Sequence, residues 1–451
     1  MLLAVLVAGL GACLLRTPAS AQQTQPRRAG IDVVSVEGFL DPPNATLIER
    51  SVRDAQRSNA MLLVFQLHSS GAVDVNVDRL IDAMSRSTVP IAVWVGPTGA
   101  NARGGAALFA LSAPVVSVAQ GGGIGPVSPV RLDRSNDVSN AALRSRLAAV
   151  QRGYGRSDKL VSDVVTHRVP AQRAADEGLI NRASPTVGEF IVSLHGTTVK
   201  TAAGPVTLST ARVVGEGKNR RRVPNQVVSF GKLDLAGQVQ HTLDTPWVAY
   251  FLFVVGGALL VFEFFTVSIG IAGLVGAMAI VAACYGFSHL PVHPYAVGLL
   301  ILAMIGFAVD VQATALGAWT FIGSASLVAG SLTLYGGSSR LDPVWWVQLI
   351  VIVGTIVFML SGMTAMVRSR FSTPTIGREE LIGELGSAEV DVAPDGVVRV
   401  RDTLWRARTN RATPIAAGQT VRVVSVEGIL LAVEPEEGGA KDYREPRSKR
   451  S

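Results

Sequence analysis

The sequence predicts three parts in series: an α/β domain, an α-helical membrane region of about five spans, and a small all-β domain. Apolar β-branched runs alternate with helical stretches between residues 30 and about 196, which is typical of an α/β sheet. Segments near the ~20 apolar residues that a bilayer core requires follow between Trp247 and Val367. Period-two alternation and turns such as "PDG" continue from Gly377 to about Pro435. A mean hydropathy of +0.36 agrees with a membrane protein.

The first 21 residues are predicted to be a signal peptide. An apolar run precedes Ala19-Ser20-Ala21, an A-x-A-like site at which cleavage would leave Gln22 as the first residue. "LGAC", ending at Cys13, also resembles a lipoprotein processing box and is the alternative. After signal cleavage only Cys284 remains, so the sequence excludes a disulfide framework and a Cys-based metal site.

The α/β domain is assigned to residues 22–196. The runs "IDVVSV", "MLLVFQL", "VPIAVWV" and "PVVSVA" predict strands, and the stretches between them carry apolar residues at helical spacing. Strands that alternate with helices predict a largely parallel sheet covered on both faces. Residues 197–245 mix short strand-like runs with turn residues and are predicted to be a linker or a small β-extension.

The membrane region is assigned to residues 246–367, with five predicted spans at 247–263, 265–287, 294–310, 314–335 and 344–367. If the signal peptide exports the N-terminal domain, five spans return the chain to the cytoplasm, where Arg368, Arg370 and Arg378 satisfy the positive-inside rule. Four spans would place the C-terminal domain outside. A linker at 368–376 leads to the β-domain at 377–435, which we expect to be an OB-like barrel, and a basic disordered tail at 436–451.

A repeat lies within the membrane region, because an acid and two glycines recur 47 residues later. The recurring residues are Glu263, Gly270 and Gly276, then Asp310, Gly317 and Gly323. This spacing predicts two tandem hairpins packed through small residues. We interpret the two acids as helix-end groups that tie the repeats together. Proton or ion movement is the alternative, and it would make the protein a transporter.

Three stretches resemble a known family. "VFEFFTVSIGIAGLVGA" resembles the acid-containing first hairpin of the long-form NfeD proteins, also called membrane-bound ClpP-class proteases. "GREELIGELGSAEVDVAPDGVVRVRDTLWRARTN", continued by "GQTVRVVSVEGILLAVEP", is very similar to their C-terminal domain. "PTGANARGG", followed by "GGGIGPVSPV", resembles the segment that carries the protease nucleophile.

The resemblance implies a ClpP/crotonase-like N-terminal domain with a serine nucleophile, a lysine base and an oxyanion hole from a Gly-Gly turn. Laid on this sequence, the serine falls on Gly104 and the lysine on Val138. The oxyanion turn becomes His68-Ser69-Ser70-Gly71-Ala72, in which only Gly71 of the two glycines remains and Ala72 has gained a methyl group. Since all three features are altered, we predict a pseudoprotease, with no catalytic residue assigned.

Two further readings of this region stay open. A displaced nucleophile among Thr98, Ser112 and Ser128, with His68 or His167 as base, would restore activity. Alternatively the vacant site binds peptides. The residues predicted for peptide binding are Gly71, Arg103, Gly104 and Gly105.

The leading function is therefore a membrane scaffold, and the alternative is an active membrane-anchored serine endopeptidase. The resemblance implies a stomatin-like SPFH-domain partner, membrane organisation or quality control, assembly into a homo-oligomer, and a bacterial plasma membrane location. We expect no cofactor and no metal, because the six histidines lack ligand spacing. We also expect no nucleic acid, because Trp405 is the one stacking aromatic among the arginines of the β-domain.

Overall fold

The structure of the chain is a computed structural model. It describes residues 30–134, 138–214, 221–265, 270–311, 317–336, 341–363, 365–366, 378–409 and 413–436. The predicted signal peptide, Arg368, Arg370, the predicted linker at 368–376 and the predicted basic tail beyond residue 436 lie outside these residues. The chain divides into two compact units, Met1–Val367 and Arg368–Ser451.

A nine-stranded sheet forms the centre of the N-terminal domain. Its strands are Ile31–Leu40 (β1), Leu62–Ala72 (β2), Ile91–Val95 (β3), Asn101–Ala102 (β4), Val115–Val118 (β5), Gly123–Ile124 (β6), Val169–Pro170 (β7), Arg182–Ala183 (β8) and Val228–Gly231 (β13). β2 is central, because β1, β3 and β4 all pair with it in parallel. β3 continues the sheet through β5 to β8, and β4 starts a short branch through β6 to β7. β6 and β7 pair antiparallel, and the remaining pairs are parallel.

Helices cover both faces of this sheet, as the alternating pattern predicts. They are Pro42–Arg57 (α1), Val77–Ser85 (α2), Gly104–Leu111 (α3), Asn140–Gly153 (α4), Val161–Thr166 (α5), Ala171–Asp176 (α6) and Val187–Ser193 (α7). α3 is buried along its whole length and packs beside Phe65 of β2 through Phe109. The other face of the sheet packs around Trp94, Phe190 and Val199.

Of the two alternatives predicted for residues 197–245, a linker or a small β-extension, the described residues form the second and fold onto the α/β domain. Their short strands are Thr198–Thr201 (β9), Gly204–Thr207 (β10), Ala211–Val214 (β11) and Arg221–Pro224 (β12), followed by β13 and by the helix Leu235–Leu243 (α8). β9 pairs with β10 and β11 with β12, each antiparallel. β13 then pairs with β1, from Ile31 opposite Val228 to Val34 opposite Gly231. Backbone pairing with β1 thus places β13 at the edge of the main sheet.

The membrane region contains five consecutive helices: Pro246–Phe265 (α9), Ile271–His289 (α10), Pro294–Asp310 (α11), Ala318–Thr333 (α12) and Trp345–Val357 (α13), which continues as a π-helix over Phe358–Met363. Among the described residues, three helices are long and apolar enough to cross a membrane: Pro246–Phe265, Ile271–His289 and Trp345–Met363. α11 is apolar but shorter. The predicted membrane region is confirmed, and the helix count agrees with about five spans.

Glycines let the helices of each hairpin approach closely, as the repeat predicts. A Cβ on Gly276 of α10 would lie 2.8 Å from the carbonyl oxygen of Gly256 in α9. A Cβ on Gly323 of α12 would lie 3.1 Å from the carbonyl oxygen of Ala303 in α11. Both hairpins therefore pack backbone against backbone at equivalent points of the 47-residue repeat.

Two Asp–His pairs join the α/β domain to the membrane helices. The buried Asp41, which caps α1, pairs with His241 of α8, and Asp244 pairs with His289 of α10 at 3.0 Å. Burial opposes the charged form of His241, but hydrogen bonding to Asp41 and the nearby carboxylates outweigh burial and raise its pKa. Burial raises the pKa of Asp244 to about 6, against the opposing effect of His289.

The C-terminal unit is a closed five-stranded barrel, as the period-two pattern predicts. After a 3-10 helix at Arg378–Leu381, its strands are Leu385–Ala388 (β14), Asp395–Val400 (β15), Thr403–Arg408 (β16), Thr420–Glu427 (β17) and Leu430–Pro435 (β18). The strand order is β14-β15-β16-β18-β17, closed by pairing of β14 with β17. The predicted fold class is therefore confirmed in all three parts.

Candidate functional site

The expected nucleophile position lies at the start of a buried helix. α3 begins at Gly104, which a single residue, Arg103, separates from β4. Gly104 has φ +56°, a left-handed conformation that glycine adopts without steric cost. A Cβ at Gly104 would lie 3.4 Å from Cα of Gly71 and 2.9 Å from the carbonyl oxygen of Pro129. The structure therefore brings together Gly104, the expected nucleophile position, and Gly71, the remaining glycine of the expected oxyanion turn.

A stretch of the chain itself occupies this site, and we call residues 126–132 the blocking segment. The Gly104 N–H donates to the carbonyl oxygen of Pro126 at 2.8 Å, and the Gly105 N–H donates to that of Val130 at 2.7 Å. At the far end of the blocking segment, the Leu132 N–H donates to the carbonyl oxygen of Ala72 at 2.8 Å. Amides that could stabilise an oxyanion or bind a peptide are therefore already bonded within the chain.

The predicted oxyanion turn is a strand end. Residues 68–72 complete β2, because β1 pairs with them as far as Leu40 opposite Ala72. Gly71 has φ +154°, and a Cβ there would lie 2.8 Å from Cδ1 of Leu132. The Gly71 N–H donates to Oγ of Ser69 at 3.4 Å. Gly71 is thus covered by the Leu132 side chain of the blocking segment.

The expected base position offers no desolvated amine. Val138 is 41% exposed and precedes Ser139, which caps α4 by accepting the Ala142 N–H at 3.2 Å. A lysine at this position would be solvated and would keep its charge near neutral pH. Lys159 is exposed on the loop before α5. The structure therefore brings no lysine to Gly104 among the described residues.

The alternative hydroxyl groups lie in different surroundings. Thr98 is exposed, and Ser112 is buried at the C-terminal end of α3, opposite to Gly104. Among the residues that the structure describes, no hydrogen bond joins Thr98, Ser112 or Ser128 to His68 or His167.

Two arginines border α3, and the sequence predicts a role for only one of them. Arg103, the predicted peptide-binding residue, precedes α3 and keeps a buried Nε without a hydrogen-bond partner in the described structure. Arg156, in the "GRS" turn, is buried and donates from Nη2 to the carbonyl oxygens of Leu111 and Ala113, at 2.7 and 3.0 Å. Burial lowers its pKa to about 10, so it stays charged and stabilises the C-terminus of α3.

The two membrane acids accept backbone hydrogen bonds at helix starts. Glu263 of α9 accepts the N–H groups of Gly270 and Gly273, at 3.1 and 3.2 Å, at the start of α10. Asp310 of α11 accepts the Thr320 N–H of α12 at 2.6 Å. Each acid therefore connects the two helices of its own hairpin. That these acids also tie one repeat to the other stays a prediction.

Carboxylates pair with three of the arginines on the C-terminal barrel. Arg399 pairs with Glu389, Arg401 with Glu384 and Arg408 with Asp395. Trp405 is partly buried and packs against the barrel core. This pairing reduces the positive potential that nucleic acid or anionic lipid would recognise.

Comparisons with known proteins cover most of the chain. The family described as "NfeD integral membrane domain" matches residues 247–365, and that described as "NfeD-like C-terminal, partner-binding domain" matches residues 378–435. Membrane-bound protease PH1510 of Pyrococcus horikoshii is 24% identical over 433 residues, which cover 91% of this chain and 94% of the relative. Membrane protein NfeD1b of Bacillus subtilis is 21% identical over 439 residues, 94% of this chain and 97% of the relative.

Among solved structures, the chain is similar to the 1510-N membrane protease specific for a stomatin homolog from Pyrococcus horikoshii. That match has 18% identity and a TM-score of 0.38 and covers 46% of this chain and 95% of that chain. The two domain matches and the full-length relatives agree with the order of parts in the fold. This chain therefore contains the NfeD integral membrane domain and the NfeD-like C-terminal, partner-binding domain, and over more than nine-tenths of its length it is similar to full-length relatives that include a membrane-bound protease.

Proposed function

We propose that this protein is a membrane scaffold whose N-terminal domain keeps the protease fold but does not hydrolyse peptides. In this proposal the N-terminal domain is extracytoplasmic and binds peptides or partner proteins. The C-terminal barrel is cytoplasmic and docks a stomatin/SPFH-type protein in membrane organisation or quality control. The choice of that partner rests on the family resemblance carried by the C-terminal sequence.

The glycine at position 104 is the observation that carries the proposal. A glycine has no side chain with which to attack a carbonyl, and the space where a Cβ would stand lies 2.9 Å from the Pro129 carbonyl oxygen. The neighbouring Gly105 amide already donates to Val130. Hydrolysis of a peptide needs both a nucleophile and backbone donors for the developing oxyanion. Position 104 has no side chain to attack, and the Gly104 and Gly105 amides are already bonded.

The alternative, an active serine endopeptidase, needs a displaced nucleophile with a base in hydrogen-bond reach. Val138 is exposed, and Lys159 is solvated on its loop. The geometry therefore favours binding over catalysis.

Peptide binding at the vacant site would require movement of the blocking segment. A peptide that used the Gly104 and Gly105 amides would have to displace the Pro126 and Val130 carbonyl groups first. The buried, unpartnered Nε of Arg103 could then meet a peptide carboxylate or carbonyl oxygen. We therefore expect peptides to bind weakly to the isolated protein and more tightly when the blocking segment is displaced.

The test uses purified full-length protein with a casein-like substrate. The variants are the Gly104→Ser, Val138→Lys double variant and, as a matched control, Gly99→Ser on the exposed turn. We expect no cleavage by the natural protein or the control, and an added protease confirms that the substrate can be cut. Cleavage by the natural protein would overturn the proposal.

The double variant tests the blocking segment separately. We expect it to remain inactive as well, because its Gly105 amide still donates to Val130 and its lysine is solvated. Activity of the double variant alone would mean that the natural protein lacks only the two side chains, so the proposed effect of the blocking segment would be wrong.

The partner half of the proposal has its own experiment. A stomatin-type membrane protein is co-expressed with the full chain or with a chain that ends at Val367, before the second compact unit. We expect co-purification with the full chain and loss with the shorter chain. Equal recovery with both chains would contradict docking through the barrel.

A further inference from the structure

Helix α8 lies against the end of a membrane helix. The Leu243 carbonyl at its C-terminus occupies the space where a side chain on Gly286 of α10 would begin. Gly237 and Gln240, further along α8, line a cavity of about 500 Å³ together with Tyr285, the residue before Gly286. Successive turns of α8 therefore face the same turn of α10, so that α8 runs across the end of this span.

Exposed aromatic residues locate the membrane interface at the same end of the bundle. Trp247 begins α9, Tyr295 begins α11, and Trp345 and Trp346 begin α13; all four are exposed. Tryptophan and tyrosine side chains concentrate where hydrocarbon meets headgroups. Trp247 lies four positions after the last residue of α8. The C-terminal end of α8 is therefore close to the level of these interfacial aromatic residues.

One apolar stripe runs along α8. Leu235, Val239 and Leu243 are spaced four residues apart and share one face of the helix. Leu243 and Val239 pack into a hydrophobic cluster that consists mainly of membrane-helix residues and also includes Phe39, Val73 and Leu132 of the α/β domain. Leu235 continues the stripe beyond this cluster and is 81% exposed.

We propose that α8 is an interfacial helix and that Leu235 inserts into the apolar part of the adjacent bilayer leaflet. The partner is the lipid surface itself, because the stripe that already packs on the spans continues without interruption to Leu235. Amphipathic helices in this position bury their apolar face ~5–10 Å below the headgroups.

The contact would orient the folded domain on the membrane. β13 ends four residues before α8 and pairs with β1 at the edge of the main sheet. His241 joins α8 to Asp41 at the start of α1. The bilayer would therefore support β1, which pairs with β2 as far as Ala72, and α1, which begins shortly after β1 ends.

The experiment uses the full-length protein in lipid nanodiscs, in a background where Cys13 and Cys284 are alanine. Leu235→Cys is labelled with bimane, and quenching is measured with lipids that carry a nitroxide on the acyl chain. Val213→Cys is the matched control, since Val213 is an apolar residue of β11 that is 53% exposed. Both sites are on the surface, so both variants should fold.

We expect acyl-chain nitroxides to quench the label at position 235 about twofold or more above the label at position 213, as burial at interfacial depth requires. Equal quenching at the two positions would overturn the proposal. Cross-linking of Leu235→Cys between two copies, with no lipid quenching, would also overturn it and would assign this surface to a protein contact.

Discussion

Replacing Gly104 by alanine tests the packing at the vacant site directly. An L side chain at φ +56° costs about 1 kcal/mol or more. The new Cβ would also lie 2.9 Å from the Pro129 carbonyl oxygen. Relieving that contact requires the blocking segment to shift, which costs about 1–3 kcal/mol. We therefore expect Gly104→Ala to destabilise the N-terminal domain by about 2–4 kcal/mol.

Two other glycines separate these contributions. Gly99 has φ +82° with open space around its Cβ position, so Gly99→Ala should lose only the backbone part, about 1 kcal/mol. Gly153, at the end of α4, has open space and no positive φ. Gly153→Ala should therefore be neutral or slightly stabilising.

The assay is thermal unfolding of the full-length variants in nanodiscs, followed by fluorescence of the buried Trp94 in a background where the other five tryptophans are phenylalanine. For a domain of 150–250 residues, 1 kcal/mol shifts Tm by about 2–4 °C, so Gly104→Ala should lower Tm by roughly 5–15 °C. Gly99→Ala should lower Tm by about 2–4 °C. If Gly104→Ala lost no more than Gly99→Ala, the carbonyl of Pro129 would not occupy the site as described.

The remaining predictions concern the junction and the membrane acids. The raised pKa values of Asp244 and His241 mean that both bind protons more tightly when folded, so their stabilising contributions are complete at low pH and are lost as pH rises. The difference in Tm between Asp244→Asn and the parent should therefore shift in favour of the variant as pH rises from about 4 through about 6. A Tm difference that does not change with pH would refute this. His241→Gln should remove stability at pH 6 and less above pH 8, as measured by the same scans. Glu263→Gln and Asp310→Asn should each cost about 1–3 kcal/mol without changing ion flux in proteoliposomes; abolished flux would favour the transporter alternative.

Local patterns in the sequence predict much of the fold. Period-two and helical periodicities identify the parallel sheet, the membrane helices and the barrel, because each depends on residues close in the chain. The pairing of β13 with β1 joins Ile31 to Val228, nearly 200 residues apart. No local pattern encodes such a contact, so the sequence leaves open whether residues 197–245 are a linker or a small β-extension.

The candidate site likewise has a part that the sequence predicts and a part that depends on contacts between distant residues. The prediction that Gly104 stands where the family has its nucleophile rests on one position in a motif, so it needs the sequence alone. The blocking segment depends on contacts of residues 126–132 with Gly71, Ala72 and Gly105, which are distant in sequence. The role of Arg156 likewise depends on the carbonyl groups of a different helix.

The most direct measurement is the intact mass of the full-length natural protein after treatment with a serine-directed fluorophosphonate. If the N-terminal domain has given up hydrolysis, no hydroxyl is activated and the mass stays unchanged, while an active serine hydrolase in the same reaction is labelled. A stoichiometric adduct that maps to a serine or threonine of residues 30–196 would contradict the account and would identify a displaced nucleophile.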